Sequence, residues 1–321
     1  MNKTILTWLA SAALFATANA LEYKPVADWL KLPEGRPKLG DMHGDVAVSS
    51  KGEVYVSVQD PQAGVQVYAA DGTFLRNVPN APNDFHGFVI RQQGNSEFIF
   101  GPRLGGQSIL KLGLDGKVIL NIPASEIPDE FKNKNQEGKT SVALTGMDVA
   151  PNGDLYVTDG YASDYVHRFD HNGKYLKSFG GRKAPYNFST LHKIALDTRF
   201  KPARIIGCDR ANMRVVHLSL DGDFLGVIAT DLLLPAAVAI HGDYAAIGEL
   251  KGQVTILDKA GKVVQRFGTY AGPGVGGNQI KPEQWLPGVT ISPHGVAFNQ
   301  HGDLFVAEYN VTGRMHRFNM Q

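Results

Sequence analysis

One pattern constrains this chain more than any other: a short strand-turn-strand unit that returns six times. Each unit carries an apolar run opened by a turn residue or a basic one, as in Gly52-Glu-Val-Tyr-Val, Gly94-Asn-Ser-Glu-Phe-Ile-Phe, Gly153-Asp-Leu-Tyr-Val, Arg204-Ile-Ile-Gly, Gly242-Asp-Tyr-Ala-Ala-Ile and Gly302-Asp-Leu-Phe-Val. A small-apolar run precedes each one: Val46-Ala-Val, Val89-Ile, Val149-Ala, Ile194-Ala-Leu, Val238-Ala-Ile and Val296-Ala-Phe. A further strand follows, with turns at Asp71-Gly72, Asp115-Gly116, Asn172-Gly173, Asp221-Gly222 and Ala260-Gly261. Val, Ile, Tyr and Phe runs broken by Gly turns are antiparallel meanders. Units of this period and strand number bury their faces only against like neighbours, so the expected fold is all-β, a six-bladed β-propeller.

The last repeat stops at Arg317-Phe-Asn-Met-Gln321, after its third strand, while Tyr23 to Leu32 offers an unassigned strand-like segment. The N-terminal strand is therefore expected to complete the last blade and remove an open sheet edge. Ser125 to Thr140, with a short helical turn near Ile127, and Gly272 to Gly277 read as loops over a propeller face. The glycine run Gly272-Pro-Gly-Val-Gly-Gly277 is not a dinucleotide loop, because no parallel strand-to-helix unit surrounds it.

Residues 1–20 hold Lys3, an apolar run from Ile5 to Ala18, and Ala18-Asn19-Ala20, the small-x-small pattern of a cleavable export signal. The expectation is a secreted or periplasmic protein whose single domain spans 21–321, without membrane insertion. Lys and Arg number 32 against 31 acidic residues, a balance that argues against a nucleic-acid partner. A small-molecule or peptide-derived substrate and a monomeric protein are expected. Cys208 is the single cysteine, so it can form no internal disulfide and reads as a small buried apolar residue.

Aligned on their innermost strands, blades two, four and six carry His86, His192 and His294 at or beside one point. Their spacings of 106 and 102 residues are each about two repeats, which sets the imidazoles roughly 120° apart around a six-fold ring. Three neutral imidazoles facing an open position suit a catalytic zinc ion. His43, offset by one residue in this alignment, is the weaker candidate. His167, His217, His241, His301 and His316 fall in outer strands or turns and are expected to face solvent.

Residues just after each second strand should ring the histidines, because the end of that strand lies at the same face as the start of the first. They are Gln59, Arg103, Tyr161, Arg210, Lys251 and Tyr309. Tyr161 near a cation and an arginine is a usable base, and Arg103 and Arg210 offer forked donors for a carboxylate. Asp159 and Asp209 read as turn acids tied to backbone N–H groups.

These residues resemble the NHL-type propellers of the peptidyl-α-hydroxyglycine α-amidating lyase family. Val157-Thr-Asp-Gly-Tyr161 is similar to the lyase segment bearing its catalytic tyrosine. Phe85-His86-Gly, Phe188-Ser-Thr-Leu-His192 and Ser292-Pro-His294-Gly resemble the zinc-histidine segments, and Cys208-Asp-Arg210-Ala-Asn the segment of a substrate-binding arginine. The resemblance implies a zinc-assisted collapse of a carbinolamide-type substrate to an amide or alcohol and a carbonyl acid such as glyoxylate. Tyr161 would be the base and Arg210 would hold the acid. Gln59 stands where the lyase has a second arginine, Ser292 where it has methionine, and Gly295 where an acid helps to bind a structural calcium (Ca2+). Two other functions fit the same fold: a non-enzymatic propeller that binds a peptide or glycan, and a metal-dependent hydrolase or lactonase. A calcium lactonase would need a carboxylate- and Asn-rich centre, and the axial positions here are histidine.

Overall fold

The structure, a computed structural model, describes residues 21–61, 63–272 and 277–321. The export signal expected at 1–20, and positions 273–276 of the glycine run, lie outside the described residues. Six four-stranded antiparallel sheets form among them, and they are the six blades of a β-propeller. From the axis outward, blade 1 runs Val46–Val48, Val54–Val58, Gly64–Tyr68 and Phe74–Asn77. Blades 2 to 5 repeat this meander, with innermost strands at Val89–Gln93, Gly146–Val149, Leu191–Asp197 and Pro235–His241.

Blade 6 is built from both ends of the chain. Pro293–Phe298, Leu304–Glu308 and Arg314–Met320 supply three strands, and Tyr23–Pro25 supplies the outermost. Tyr23 pairs with Met320 and Pro25 with Phe318, which is the closure the short last repeat required. The Tyr23 ring stacks on Phe267 of blade 5 with centroids 5.0 Å apart. Burial there pushes its phenol up to about 12.

The buried apolar side chains fall into six clusters, and each lies at one interface between adjacent blades. At the interface of blades 3 and 4, for example, Tyr156, Val166 and Phe179 meet Ile194, Ile205 and Val216. This arrangement explains why second strands such as Val54–Val58 are buried at every position, while outer strands such as Phe74–Asn77 alternate between half-buried and exposed. The outer turns need glycine for geometric reasons. Gly116 has φ of 83°, and a Cβ there would fall 1.8 Å from the Pro79 carbonyl oxygen on a neighbouring turn.

Burial on both faces also corrects one expectation. His167, His217 and His316 lie on third strands and are buried rather than solvent-facing, because those strands too are covered by the next blade. Each has a polar partner: Ser178 Oγ at 2.7 Å from His167 Nδ1, Asp197 at 3.0 Å from His217 and Glu308 at 2.9 Å from His316. His241 is half-buried and His301 is exposed. Cys208 is buried at the interface of blades 4 and 5, where burial pushes its thiol pKa up. The segment after blade 2 forms short helical turns at Ala124–Glu126 and Asp129–Phe131, followed by a two-stranded ribbon.

Candidate metal centre

His86, His192 and His294 enter the axis just ahead of, or at the start of, the innermost strands of blades 2, 4 and 6. The loops of His192 and His294 are held by acids at the ends of second strands. Asp209 accepts from Ser189 N at 2.8 Å, three residues ahead of His192, and Glu308 accepts from Ile291 N at 2.7 Å, three ahead of His294. Asp159 accepts likewise from Ala143 N at 2.6 Å, in keeping with the turn role expected of it.

The three rings form a nearly equilateral triangle, with centroid separations of 4.9 Å (His86 to His192), 4.7 Å (His86 to His294) and 4.9 Å (His192 to His294). Each ring donates from Nδ1 to a backbone carbonyl of the following blade: His86 to Thr145 at 2.7 Å, His192 to Ala236 at 2.6 Å and His294 to Gly44 at 2.7 Å. A carbonyl only accepts, so Nδ1 must carry the proton and Nε2 is left with its lone pair. Carbonyl partners of this kind fix the tautomer and the ring plane of metal-ligating histidines.

What the three Nε2 atoms meet is a shortage of protons. His86 Nε2 lies 3.1 Å and His192 Nε2 3.0 Å from the Tyr161 hydroxyl, which has a single proton to give. His294 Nε2 is buried with no hydrogen-bond partner. Burial first, and then neighbouring imidazole charge, joined by Arg210 at His86 and His192, holds all three pKa values well below the ordinary histidine range, so a proton does not fill the gap. Convergent neutral nitrogen lone pairs, one of them orphaned, suit a divalent cation that accepts imidazole.

A fourth imidazole belongs to this face. His43 Nε2 lies 3.2 Å from the Tyr161 hydroxyl, and its ring stands 4.7 Å from His86 and 4.9 Å from His294. Nitrogens of His43, His86 and His294 lie within 4.8 Å of one another, so these three histidines could form a metal site, and the His192 ring stands beside them at 4.9 Å from both His86 and His294. His43 is half-buried and stacks on Tyr309 at 4.3 Å. Its Nδ1 has no carbonyl partner among the described residues, and for that reason the carbonyl-locked trio is the better ligand set. Burial, then Arg210, lowers its pKa to about 4. The sequence signal for it was present, since His43-Gly44-Asp45-Val46 repeats His86-Gly87-Phe88-Val89; anchoring on the Ala-type position hid it.

Tyr161 and Arg210 meet at this face as the sequence suggested. Arg210 Nη1 donates to the Tyr161 hydroxyl at 3.2 Å, and its guanidinium lies 5.1 Å from the ring centroid. Burial raises the Tyr161 pKa and Arg210 opposes the rise, so in the absence of a cation the phenol keeps its proton. Arg210 forms no ion pair with a carboxylate among the described residues. Arg103 differs: its Nε donates to Asp84 at 2.8 Å, which turns it away from the role of free carboxylate anchor. Gln59 reaches the His43 carbonyl at 3.3 Å, and Lys251 makes a backbone bond to the Leu233 carbonyl at 3.2 Å.

A calcium ion beside position 295 does not fit this chain. The acid it would need is glycine, and a Cβ on Gly295 would fall 2.4 Å from Asp45 Oδ1. That carboxylate is already paired with the buried ammonium of Lys193.

No family model matches the chain. Among solved structures, it is similar to a streptogramin B lyase structure at 15% identity, covering 94% of this chain and 97% of that one with a TM-score of 0.58. It is also similar to a Bacteroides thetaiotaomicron protein of unknown function at 14% identity, covering 88% and 70% with a TM-score of 0.61. A third likeness is to the WD40 β-propeller domain of Doa1 at 13% identity, covering 94% and 97% with a TM-score of 0.55. At such identities the likeness establishes the propeller fold and nothing finer.

Proposed function

We propose that this protein is an exported, metal-dependent lyase that cleaves a small α-hydroxy-amide or a related carbonyl-acid precursor. The observation that carries the reading is the meeting of one phenol hydroxyl with carbonyl-locked imidazoles on one side and, on the other, an arginine that pairs with no carboxylate among the described residues. Export is read from Ala18-Asn19-Ala20 and the apolar run before it.

His86, His192 and His294 would hold the ion, zinc being favoured by a neutral imidazole set with an open position. When bound, it supplies Lewis-acid polarisation of a substrate oxygen. Arg210 anchors the substrate carboxylate through its forked N–H groups. Its charge also favours the phenolate of Tyr161, whose oxygen takes the proton of the substrate hydroxyl. The electron pair released from that O–H forms the carbonyl as the bond from carbon to the departing nitrogen or oxygen breaks. The proton then passes from Tyr161 to the leaving group. An amide or alcohol and a carbonyl acid result, with no oxidant or reductant required.

The test is metal analysis of the purified chain before and after chelation, followed by a panel of α-hydroxyglycine amides, ureidoglycolate-like compounds and simple lactones. Glyoxylate or another carbonyl acid is followed directly. Metal-dependent release from an α-hydroxy-amide is expected. Turnover of lactones alone would move the assignment to a hydrolase, and a metal-loaded protein inert to the whole panel would overturn the enzymatic reading.

A further inference from the structure

Immediately beneath the histidine layer, Lys193 of blade 4 and Asp45 of blade 1 meet as an ion pair. In a six-bladed ring these blades face each other, so the pair spans the axis. Lys193 is 5% exposed and Asp45 1%. A pair this dry is not explained by stability, because desolvating both charges costs about as much as their attraction returns.

Its connections point elsewhere. Asp45 Oδ2 accepts from Phe88 N at 3.2 Å, two residues after His86. Lys193 directly follows His192. Asp45 directly follows Gly44, whose carbonyl orients His294, and the Asp45 carboxylate packs against Gly295. One carboxylate thus touches all three strands that carry the trio. The surrounding layer is shaped around the pair: a Cβ at Gly146 would lie 3.1 Å from Lys193 Cγ, and one at Gly295 2.4 Å from Asp45 Oδ1. On the far side, the channel opens into a cavity of about 710 Å³ whose walls include Lys193 and none of His43, His86, His192 or His294.

We propose that the Lys193–Asp45 pair is the positioning element of the histidine face: an internal ammonium ties together the strands bearing His86, His192 and His294 and closes the channel beneath them. The inference rests on the reading of the histidines as a metal centre.

The experiment measures zinc affinity of the full chain by competition with a chromophoric chelator, with thermal unfolding of the metal-free protein alongside. The double variant Lys193→Met/Asp45→Asn removes both charges together, so no lone charge stays buried, and the amide oxygen of the introduced asparagine still accepts from Phe88 N. Zinc affinity is expected to fall about 10- to 100-fold, the range seen when the groups supporting metal ligands are lost. Asp197→Asn, which disturbs the buried Arg199 and His217 contacts at the opposite end of the inner strand of blade 4 from His192, controls for instability and should leave zinc affinity unchanged. Gly295→Ala keeps both charges but crowds Asp45, and it should weaken zinc binding even if the double variant does not fold. Wild-type zinc affinity in a folded double variant, or in Gly295→Ala, overturns the positioning role while leaving the metal centre standing. A wild-type chain that binds no zinc overturns the metal reading itself and this inference with it.

Discussion

Removing one oxygen from Tyr161 separates the two things its hydroxyl does. In the metal-free protein that hydroxyl is the proton shared among the Nε2 atoms of His43, His86 and His192, at 3.0 to 3.2 Å. Tyr161→Phe leaves these acceptors short of a donor, and an unsatisfied buried acceptor costs about 1–3 kcal/mol. Tyr161 is half-buried, so solvent relieves part of the loss and a cost of about 1 kcal/mol is the working figure. At roughly 2–4 °C per kcal/mol for a domain of 150–250 residues, the metal-free variant should melt about 2–4 °C lower than wild type. With zinc bound, the lone pairs of His86 and His192 are occupied and most of this deficit should vanish. The rise in Tm on adding zinc should therefore be larger in Tyr161→Phe than in wild type, while turnover falls about 10²- to 10⁴-fold for a lost general base. Paired thermal scans with and without zinc, beside the carbonyl-acid assay, measure both effects. Loss of zinc from the variant would make the phenol oxygen a ligand and refute the reasoning, and an undiminished rate would refute the base.

Alanine in place of His192 should cut zinc affinity by several orders of magnitude, whereas His43→Ala should leave the ion bound; an equal loss in both would make His43 a full member of the ligand set. Arg210→Ala should raise KM with a smaller effect on kcat, as expected of a carboxylate anchor used equally in ground and transition states, and a pure kcat effect in steady-state kinetics would reassign it. Burial lowers the His167 pKa to about 3, so below about pH 6.5 the unfolded chain takes up a proton that the folded chain refuses. Stability tied to this residue is complete above that pH and is lost as pH falls toward 3. At about pH 4.5 the loss should reach about 2–3 kcal/mol, at roughly 1.4 kcal/mol per pH unit. His167→Gln should narrow the gap between urea midpoints measured at about pH 7 and about pH 4.5, and an unchanged gap would show that His167 titrates normally.

The propeller was legible because its cause is local and repeated. A turn glycine, a fully apolar second strand and a small-apolar inner strand recur in every blade, and only like neighbours can cover both faces of such a strand. Even the closure by Tyr23–Pro25 followed from a missing fourth strand. What local reading lost was burial of the third strands. His167, His217 and His316 look polar in an amphipathic register, but the ring supplies a second covering blade that no single repeat reveals. The site divides the same way. His86, His192 and His294 were readable because repeat symmetry places them, and Tyr161 and Arg210 because the ends of second strands share the histidine face. The partners of Arg103 and Lys193 were not readable. Asp84 lies 19 residues from the first and Asp45 148 residues from the second, separations that carry no periodic signal.

That division bears on how a symmetric ring acquires one chemistry. Six equivalent inner strands can present six equivalent side chains to the axis, and a trigonal ligand set needs only every second one. Symmetry alone gives an ion site without direction, open equally to both ends of the channel. The directing features here all break the repeat. Of the residues after the second strands, Tyr161 of blade 3 and Arg210 of blade 4 are the two that hydrogen-bond to each other beside the imidazoles, while Arg103 is turned to Asp84, which puts a phenol hydroxyl and a guanidinium to one side of the histidine triangle. Lys193 and Asp45 stand where blades 3 and 6 have Gly146 and Gly295, and they close one end. Under the proposed function a substrate would then have a single approach and a single orientation, its carboxylate toward Arg210 and its hydroxyl toward Tyr161, and the asymmetric residues rather than the histidines would decide what is bound.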